Sequence, residues 1–363
     1  MKHLQKWDPL SFFPPKRYQV FPILFVPPQG GGMEIKMKAM LVDENKNLVW
    51  SEVDEPVISD TQVLIEIYAA ALNRADLLQR AGKYPSPAGC PPWMGLEVAG
   101  VVTETGKNVT KWKTGDRVCA LLGGGGYAQR VAVDEGMVMP IPHGLSFEEA
   151  ATLPEAYATC YLNLFIEGRY REGETLFFPA GASGLASVGI PMAKAFGAYV
   201  ITSVLGEDTK KNIAHLGADV VIDSTSQSVV EIIKSESENG HPIDVAIDCL
   251  AGETIGEAFP YVNEGCRWVL ISTLAGISTE IPLRALLTKG IELKGSMLRK
   301  RSVEEKSRIL AELVSRVWPK IESGELRPTV YKILPIEQAE EAHAILERGE
   351  NIGKVVLRVK NEG

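Results

Sequence analysis

The chain predicts an α/β fold in two parts: a β-rich, barrel-like part and a doubly wound parallel sheet with helices on both faces. Three observations predict it. Residues 37–141 alternate apolar and polar positions between turn signals. The stretch TLFFPAGASGLASVGIPMAKAFGA at 175–198 reads as strand, glycine turn and helix. Short apolar runs then alternate with helical patterns as far as Ser272.

Residues 1–36 stand apart. They are Pro-rich and aromatic (WDPLSFFPPKRYQVFPILFVPPQGGG), and the run Gly30 to Gly32 leads to Met33 and Met37. They read as an extension that the fold can lose, with Met33 or Met37 as alternative starts. Their basic, acid-poor composition leaves an organellar targeting role open, but the Ser/Arg-rich amphipathic pattern of a transit peptide is missing.

From Met37, KAMLVD, LVWSEV and VLIEIYAAAL predict strands separated by turns at Asp43 to Asn47 and Pro56 to Asp60. VAGVVTETG, RVCALL and YAQRVAVDE continue the pattern, and the β-rich part closes near Ile141. At Ser146 the period becomes helical (SFEEAATLPEAYATCYLNLFIE), with Ser146 and Glu149 placed as a capping box. A first domain is therefore expected over 37–150.

Thr175 to Phe178 is too short for a helix and is stopped by Pro179 and Gly181. From Leu185 the apolar residues Val188, Ile190, Met192, Ala193, Phe196 and Ala198 recur mostly at three- and four-residue spacing, as one buried helix face requires. A glycine turn leading into a helix leaves backbone N–H groups unpaired where the helix dipole favours negative charge, which suits a pyrophosphate. Against the dinucleotide pattern GxGxxG, Gly181 fills the first place, Ser183 the second and Ala186 the third, with an extra Gly184 before Leu185. An ordinary glycine turn of an α/β protein has the same local features.

The next strand, Tyr199 to Val204, carries no carboxylate at its tip. Ser203 with the nearby Lys210 and Lys211 favours a 2′-phosphate, hence NADPH rather than NADH. The same lysines also fit the solvated first turn of a helix beside Glu207 and Asp208. ADVVID, a polar helix from Ser226 to Glu238, DVAIDCL, a helix near Thr254 to Val262 and RWVLIS extend the sheet. Its tips at Ala180, Ser203, Asp223, Cys249, Leu250 and Ser272 are where a ligand collects. IELKGS closes this nucleotide domain, expected over 151–298. After a long helix from Glu304 to Glu322, the strands TVYKIL and GKVVLRV are expected to carry residues 299–363 back to the β-rich domain.

With 363 residues, 45% of them hydrophobic and 23% charged, the chain can bury two cores. A net charge of -8 argues against a general nucleic-acid surface. No apolar run reaches the length of a membrane span. The five cysteines (Cys90, Cys119, Cys160, Cys249, Cys266) lack CxxC spacing and suggest reduced thiols in a cytoplasmic setting. His3, His143, His215, His241 and His343 are dispersed and expected at the surface. No set of Cys, His and carboxylate side chains offers a metal site. Asp76 and Arg80, four apart on one helix, are expected to form a local ion pair. Glu97 reads as a structural partner rather than a general base.

Several segments together resemble the medium-chain dehydrogenase/reductase superfamily, in its zinc-free quinone oxidoreductase branch and nearest the p53-inducible type. They are ALNRADLLQRAGKYPSP at 71–87, MGLEVAGVV at 94–102, TGDRVCALLGGGGYAQ at 114–129, LPEAYATCY at 153–161, the glycine-turn helix and ENIGKVVL at 350–357. The resemblance implies a GroES-like substrate domain against a Rossmann domain, with NADPH between them, and a homodimer. It implies that Asn73, Tyr84 and Thr159 line the nicotinamide pocket. Ala182, Ser183, Gly184 and Leu185 would meet the pyrophosphate, Ser203 and Lys210 the 2′-phosphate, and Asn351 and Lys354 the nicotinamide side. In zinc-dependent relatives a histidine precedes the glutamate that is here Glu97; this chain has Leu96 there.

The implied activity is zinc-independent reduction of quinones or electron-poor enones, in which hydride adds to an acceptor whose charge is delocalised onto oxygen. Asn73 and Tyr84 are the candidate donors to that oxygen. A role for Tyr84 as pocket wall, with Pro85 and Pro87, stays open. Alternatives are a 2-enoyl thioester reductase of the same superfamily and a non-catalytic NADPH-binding structural or sensor protein.

Overall fold

The computed structural model describes residues 35–362. Strands β1 (Lys36–Val42) and β2 (Leu48–Asp54) form an antiparallel hairpin. Strand β3 (Gln62–Ala71) leads to the short helix α1 (Arg74–Arg80). Strands β4 (Glu97–Thr105), β5 (Arg117–Leu121), β6 (Arg130–Asp134) and β7 (Val138–Pro140) follow, then helices α2 (Phe147–Ala150) and α3 (Pro154–Tyr161). Ser146 caps α2 in a reciprocal capping box with Glu149. α3 runs on through a wider turn, Leu162–Glu167, in which Gly168 N–H reaches back five residues to Asn163 O.

The chain then alternates through β8 (Thr175–Phe178), α4 (Ala186–Ala195), β9 (Tyr199–Val204), α5 (Glu207–Asn212), β10 (Val220–Asp223), α6 (Val229–Glu238), β11 (Val245–Asp248), α7 (Glu253–Ala258), β12 (Arg267–Leu270), α8 (Leu283–Lys289) and β13 (Glu292–Gly295). These strands form one parallel sheet in the order β10-β9-β8-β11-β12-β13. The strand order reverses between β8 and β11, the point in such sheets at whose carboxyl ends ligands collect. Both faces are covered. Along β8, Leu176 and Phe178 enter one core and Phe177 the opposite one, as period-two alternation requires.

Helix α9 (Val303–Glu322), strand β14 (Val330–Pro335), helix α10 (Ala339–Arg348) and strand β15 (Lys354–Arg358) complete the chain. The last strands lie in the first sheet, ordered β14-β15-β3-β4-β5-β7 with β6 also on β3, and β15 pairs antiparallel with β3. This pairing places residues 354–358 beside Asn73. Val98, Tyr157, Ile190 and Val356 share one buried core that spans both sheets. Among the described residues no helix is long and apolar enough to cross a membrane.

Four local expectations are corrected. The helix expected from Ser226 begins at Val229, because Asp223 accepts the N–H groups of Thr225, Ser226 and Gln227 in a turn and Ser228 is the N-cap. The helix expected over Thr254 to Val262 is α7, which tightens into a 3₁₀ turn at Phe259–Tyr261 where Pro260 removes a donor. Asp76 and Arg80 do not pair. Asp76 turns back to the start of α1 and takes Asn73 N–H at 2.8 Å, whereas Arg80 grips Glu340 of α10. His343 is not at the surface: it is fully buried, edge-on to Tyr127, and neither ring nitrogen has a partner among the described residues. Burial pushes its pKa down to about 4, so it is packed as a neutral ring.

Candidate active site

The turn after β8 is built around backbone rather than side chains. Ala180 sits at φ +59°, a left-handed conformation unusual for a residue with a Cβ. Gly181 follows, and a Cβ there would lie 2.5 Å from Thr202 Oγ1. Gly181 N–H is tied to Ser203 O at 2.8 Å, Ser183 N–H to Ala180 O, and Ala186 N–H to Ser183 Oγ at 3.1 Å. The N–H groups of Ala182, Gly184 and Leu185 have no acceptor among the described residues. They are the unpaired donors that a helix start offers an anion.

Segment 351–354 closes over this turn. A Cβ on Gly184 would lie 3.4 Å from Gly353 O and 3.5 Å from the Lys354 side chain. Asn351 Nδ2 donates to Gly353 O at 2.7 Å, bracing a turn in which Gly353 adopts φ +100°. From there Lys354 points into the interior, where its ammonium donates to Leu72 O at 2.6 Å, Asn73 Oδ1 at 2.8 Å and Glu97 Oε1 at 2.7 Å. All three ammonium protons are thus directed within one cluster. Asn73 Nδ2 donates to Glu97 Oε1 at 2.9 Å, and Glu155 N–H donates to Glu97 Oε2 at 2.8 Å. Glu97 is fully buried and acts as the structural partner the sequence suggested. Asn73 retains a second amide hydrogen with no acceptor among the described residues.

Asp76 supports the cluster from below. Besides Asn73 N–H it accepts Gly95 N–H at 3.2 Å and the Tyr127 hydroxyl at 3.1 Å. Burial raises its carboxyl to about 6 despite these donors. Asn73 is therefore held at both its backbone and its side chain.

On α3, Glu155 and Thr159 are one turn apart and are the two positions not fully buried. The Thr159 hydroxyl approaches Glu155 Oε1 at 3.4 Å. The α3 helix also reaches the glycine turn, where the Cys160 thiol donates to Leu185 O at 3.6 Å. Tyr84 lies under the guanidinium of Arg299, 4.3 Å from ring centre to Cζ, and its phenol is raised by burial. Arg299 also donates to Gly123 O at 2.6 Å and Gln79 Oε1 at 3.3 Å, joining the loop after β5 and helix α1 to the segment before α9.

The structure thus brings Asn73, Thr159, Gly181 to Leu185, Asn351 and Lys354 into one region. Tyr84 joins it through Arg299, whose charge acts on both Tyr84 and Glu155. Ser203, at the tip of β9, is linked to the turn by its carbonyl. Lys210, half-buried on α5, has no charge partner among the described residues, whereas Lys211 lies 3.9 Å from Asp208. Sequence reasoning missed Glu155, Arg299 and Lys306 as charged residues of this region. For Glu155 a signal existed, the four-residue spacing to Thr159 within LPEAYATCY. Arg299 follows no periodic pattern.

Residues 59–143 match the alcohol dehydrogenase GroES-like domain, and residues 216–357 match the zinc-binding dehydrogenase family. Over 311 residues the chain is 30% identical to a quinone oxidoreductase of Sus scrofa, covering 85% of this chain and 92% of that protein. The solved structure of a probable oxidoreductase from Mycobacterium abscessus, 26% identical, covers 90% of this chain and 100% of its own with a TM-score of 0.76. That of CurK enoyl reductase, 22% identical, shares the fold over 90% of this chain and 99% of its own, with a TM-score of 0.77. The chain belongs to the medium-chain dehydrogenase/reductase superfamily, in the branch of the quinone oxidoreductases, and is an oxidoreductase with a GroES-like domain and a Rossmann sheet. Membership implies a nicotinamide dinucleotide as cofactor, and the unpaired amides of the glycine turn fit its pyrophosphate.

The zinc that the second family's description mentions does not fit this site. Among the described residues no three His, Cys, Asp or Glu side chains converge, Leu96 is apolar, and the Glu97 carboxylate faces the Lys354 ammonium.

Proposed function

We propose that this protein is an NADPH-dependent reductase of quinones or related electron-poor enones. The observation that carries the reading is the adjacency of two features: the unpaired amides of Ala182, Gly184 and Leu185, and the rigid Lys354–Glu97–Asn73 cluster reached through Gly353. The first suits a dinucleotide's pyrophosphate; the second holds a neutral amide donor. When bound, the reduced nicotinamide supplies a hydride. Asn73, held by Lys354 and Glu97, donates its remaining N–H to the oxygen on which charge develops, and Tyr84 flanks the acceptor. Ser203 and Lys210, which has no charge partner among the described residues, support the 2′-phosphate form of the cofactor.

A parallel assay of NADPH and NADH oxidation with ortho-quinones, alkenals and crotonyl-CoA tests the reading. It fails if NADPH is oxidised with none of the first two classes. Preferential turnover of crotonyl-CoA favours the 2-enoyl thioester alternative, and cofactor binding without turnover favours the non-catalytic one.

We also propose a homodimer and a cytoplasmic location. Strand β13 is one edge of the parallel sheet, and Leu293 on it and Leu283 and Leu287 on the preceding helix α8 are exposed. A two-fold pairing of such edges removes both from solvent. Sedimentation equilibrium giving the monomer mass would refute the dimer.

A further inference from the structure

Two carboxylates meet in the same region in opposite circumstances. Glu97 has both oxygens engaged, by Lys354, Asn73 and the Glu155 N–H. Glu155 has one long contact, from the Thr159 hydroxyl, and its other oxygen has no partner among the described residues. Its backbone is pinned by Glu97, its helix is packed on every other side, and its side chain stands on the half-buried stripe of α3.

We propose that Glu155 is the catalytic acid of this site, delivering to the reduced acceptor the proton that hydride transfer requires. The inference rests on the reductase reading above. In the step, the acceptor carbon gains a C–H bond with hydride from the reduced nicotinamide, and the displaced π pair moves onto the conjugated oxygen. The Glu155 O–H bond breaks and its proton goes to that oxygen. Glu155 is left as a carboxylate and is reprotonated by a proton from solvent. The sum is reduced nicotinamide, acceptor and one proton giving oxidised nicotinamide and reduced acceptor.

The surroundings tune the group for this work. Burial and the neighbouring Glu97 charge raise Glu155 to about 7, and Lys354, Thr159 and Arg299 limit the rise. Its charge is felt by Lys306 on α9 and by Tyr84 in the loop after α1. An acid whose value lies near the working pH is the efficient proton donor. Tyr84, raised further from neutrality by burial, is the poorer donor.

The test uses the full chain, Glu155→Gln and Glu155→Asp. Glutamine leaves the backbone contact with Glu97 in place, so E155Q is expected to fold and to bind cofactor in calorimetry as the wild type does. Turnover is expected to fall by about 10²–10⁴-fold, as for loss of a general acid. The wild-type rate should decline above about pH 7, a break that E155Q loses and E155D keeps. Independently of turnover, difference infrared spectra of the cofactor-free protein should show a protonated carboxyl titrating near pH 7 in the wild type and absent from E155Q. An active wild type whose rate and pH break survive in E155Q overturns the proposal alone. A wild type inactive on every acceptor overturns the reductase reading and the proposal with it. Absence of the titrating band overturns the assignment of the proton to Glu155.

Discussion

Replacing Lys354 by methionine keeps most of the side chain's volume and removes the charge. The ammonium contacts Glu97 at 2.7 Å and also satisfies Leu72 O and Asn73 Oδ1, with Lys354 only 4% exposed and Glu97 not at all. At an effective dielectric of about 20, two charges that close attract by about 6 kcal/mol, most of it offset by their desolvation. Removing one partner leaves the other charge buried and unpaired, which costs about 3–5 kcal/mol. For a chain of this size that lowers the midpoint of thermal unfolding by about 4–7 °C. Calorimetric melts of the wild type, Lys354→Met, Glu97→Gln and the double variant measure it. The double variant should recover much of the loss, giving a coupling of about 2 kcal/mol or more. Additive effects, or a single-variant loss below about 1 kcal/mol, would refute the reasoning that this pair is what holds Asn73 in place.

Other perturbations follow from the same geometry. Asp76→Ala deprives Asn73 N–H, Gly95 N–H and the Tyr127 hydroxyl of their acceptor inside the fold, and is expected to cost about 2–5 kcal/mol in urea unfolding. Stability should also depend on pH through Glu155. Its folded-state pKa of about 7 exceeds its unfolded value, so the folded chain binds more protons between them and stability falls as pH rises from about 4.5 to 7. Relative to E155Q the wild type should lose up to about 3 kcal/mol across that window, read from melts at each pH. Lys210→Glu should raise KM for NADPH by about tenfold while leaving that for NADH nearly unchanged, the difference expected when one charge–phosphate contact is lost. Equal changes for both cofactors would remove Lys210 from the 2′-phosphate site.

Much of the fold was legible because its signals are local. The β8 strand, the glycine turn and α4 lie within 24 consecutive residues, and their alternation, stop signals and helical period follow from neighbours alone. The Ser146–Glu149 capping box was legible for the same reason. His343 was legible and misread: with Ala339, Ala342 and Leu346 it falls on the buried stripe of α10, where the helical period already placed it inside. The Asp76–Arg80 pairing failed because a seven-residue helix is nearly all ends. Its third residue serves the orphan N–H groups at the start, and its last arginine is free to reach another helix.

The sequence by itself determined the order of elements, the glycine turn that presents unpaired amides, and the apolar Leu96 beside Glu97. The tertiary structure alone decided what surrounds Asn73. Its partner Lys354 is 281 residues away and reaches it because β15 returns to pair with β3. Nor could spacing tell Glu97 from Glu155. What a carboxylate can do depends on what the fold packs against it: Glu97 meets the Lys354 ammonium, whereas Glu155 has only the Thr159 hydroxyl at 3.4 Å among the described residues.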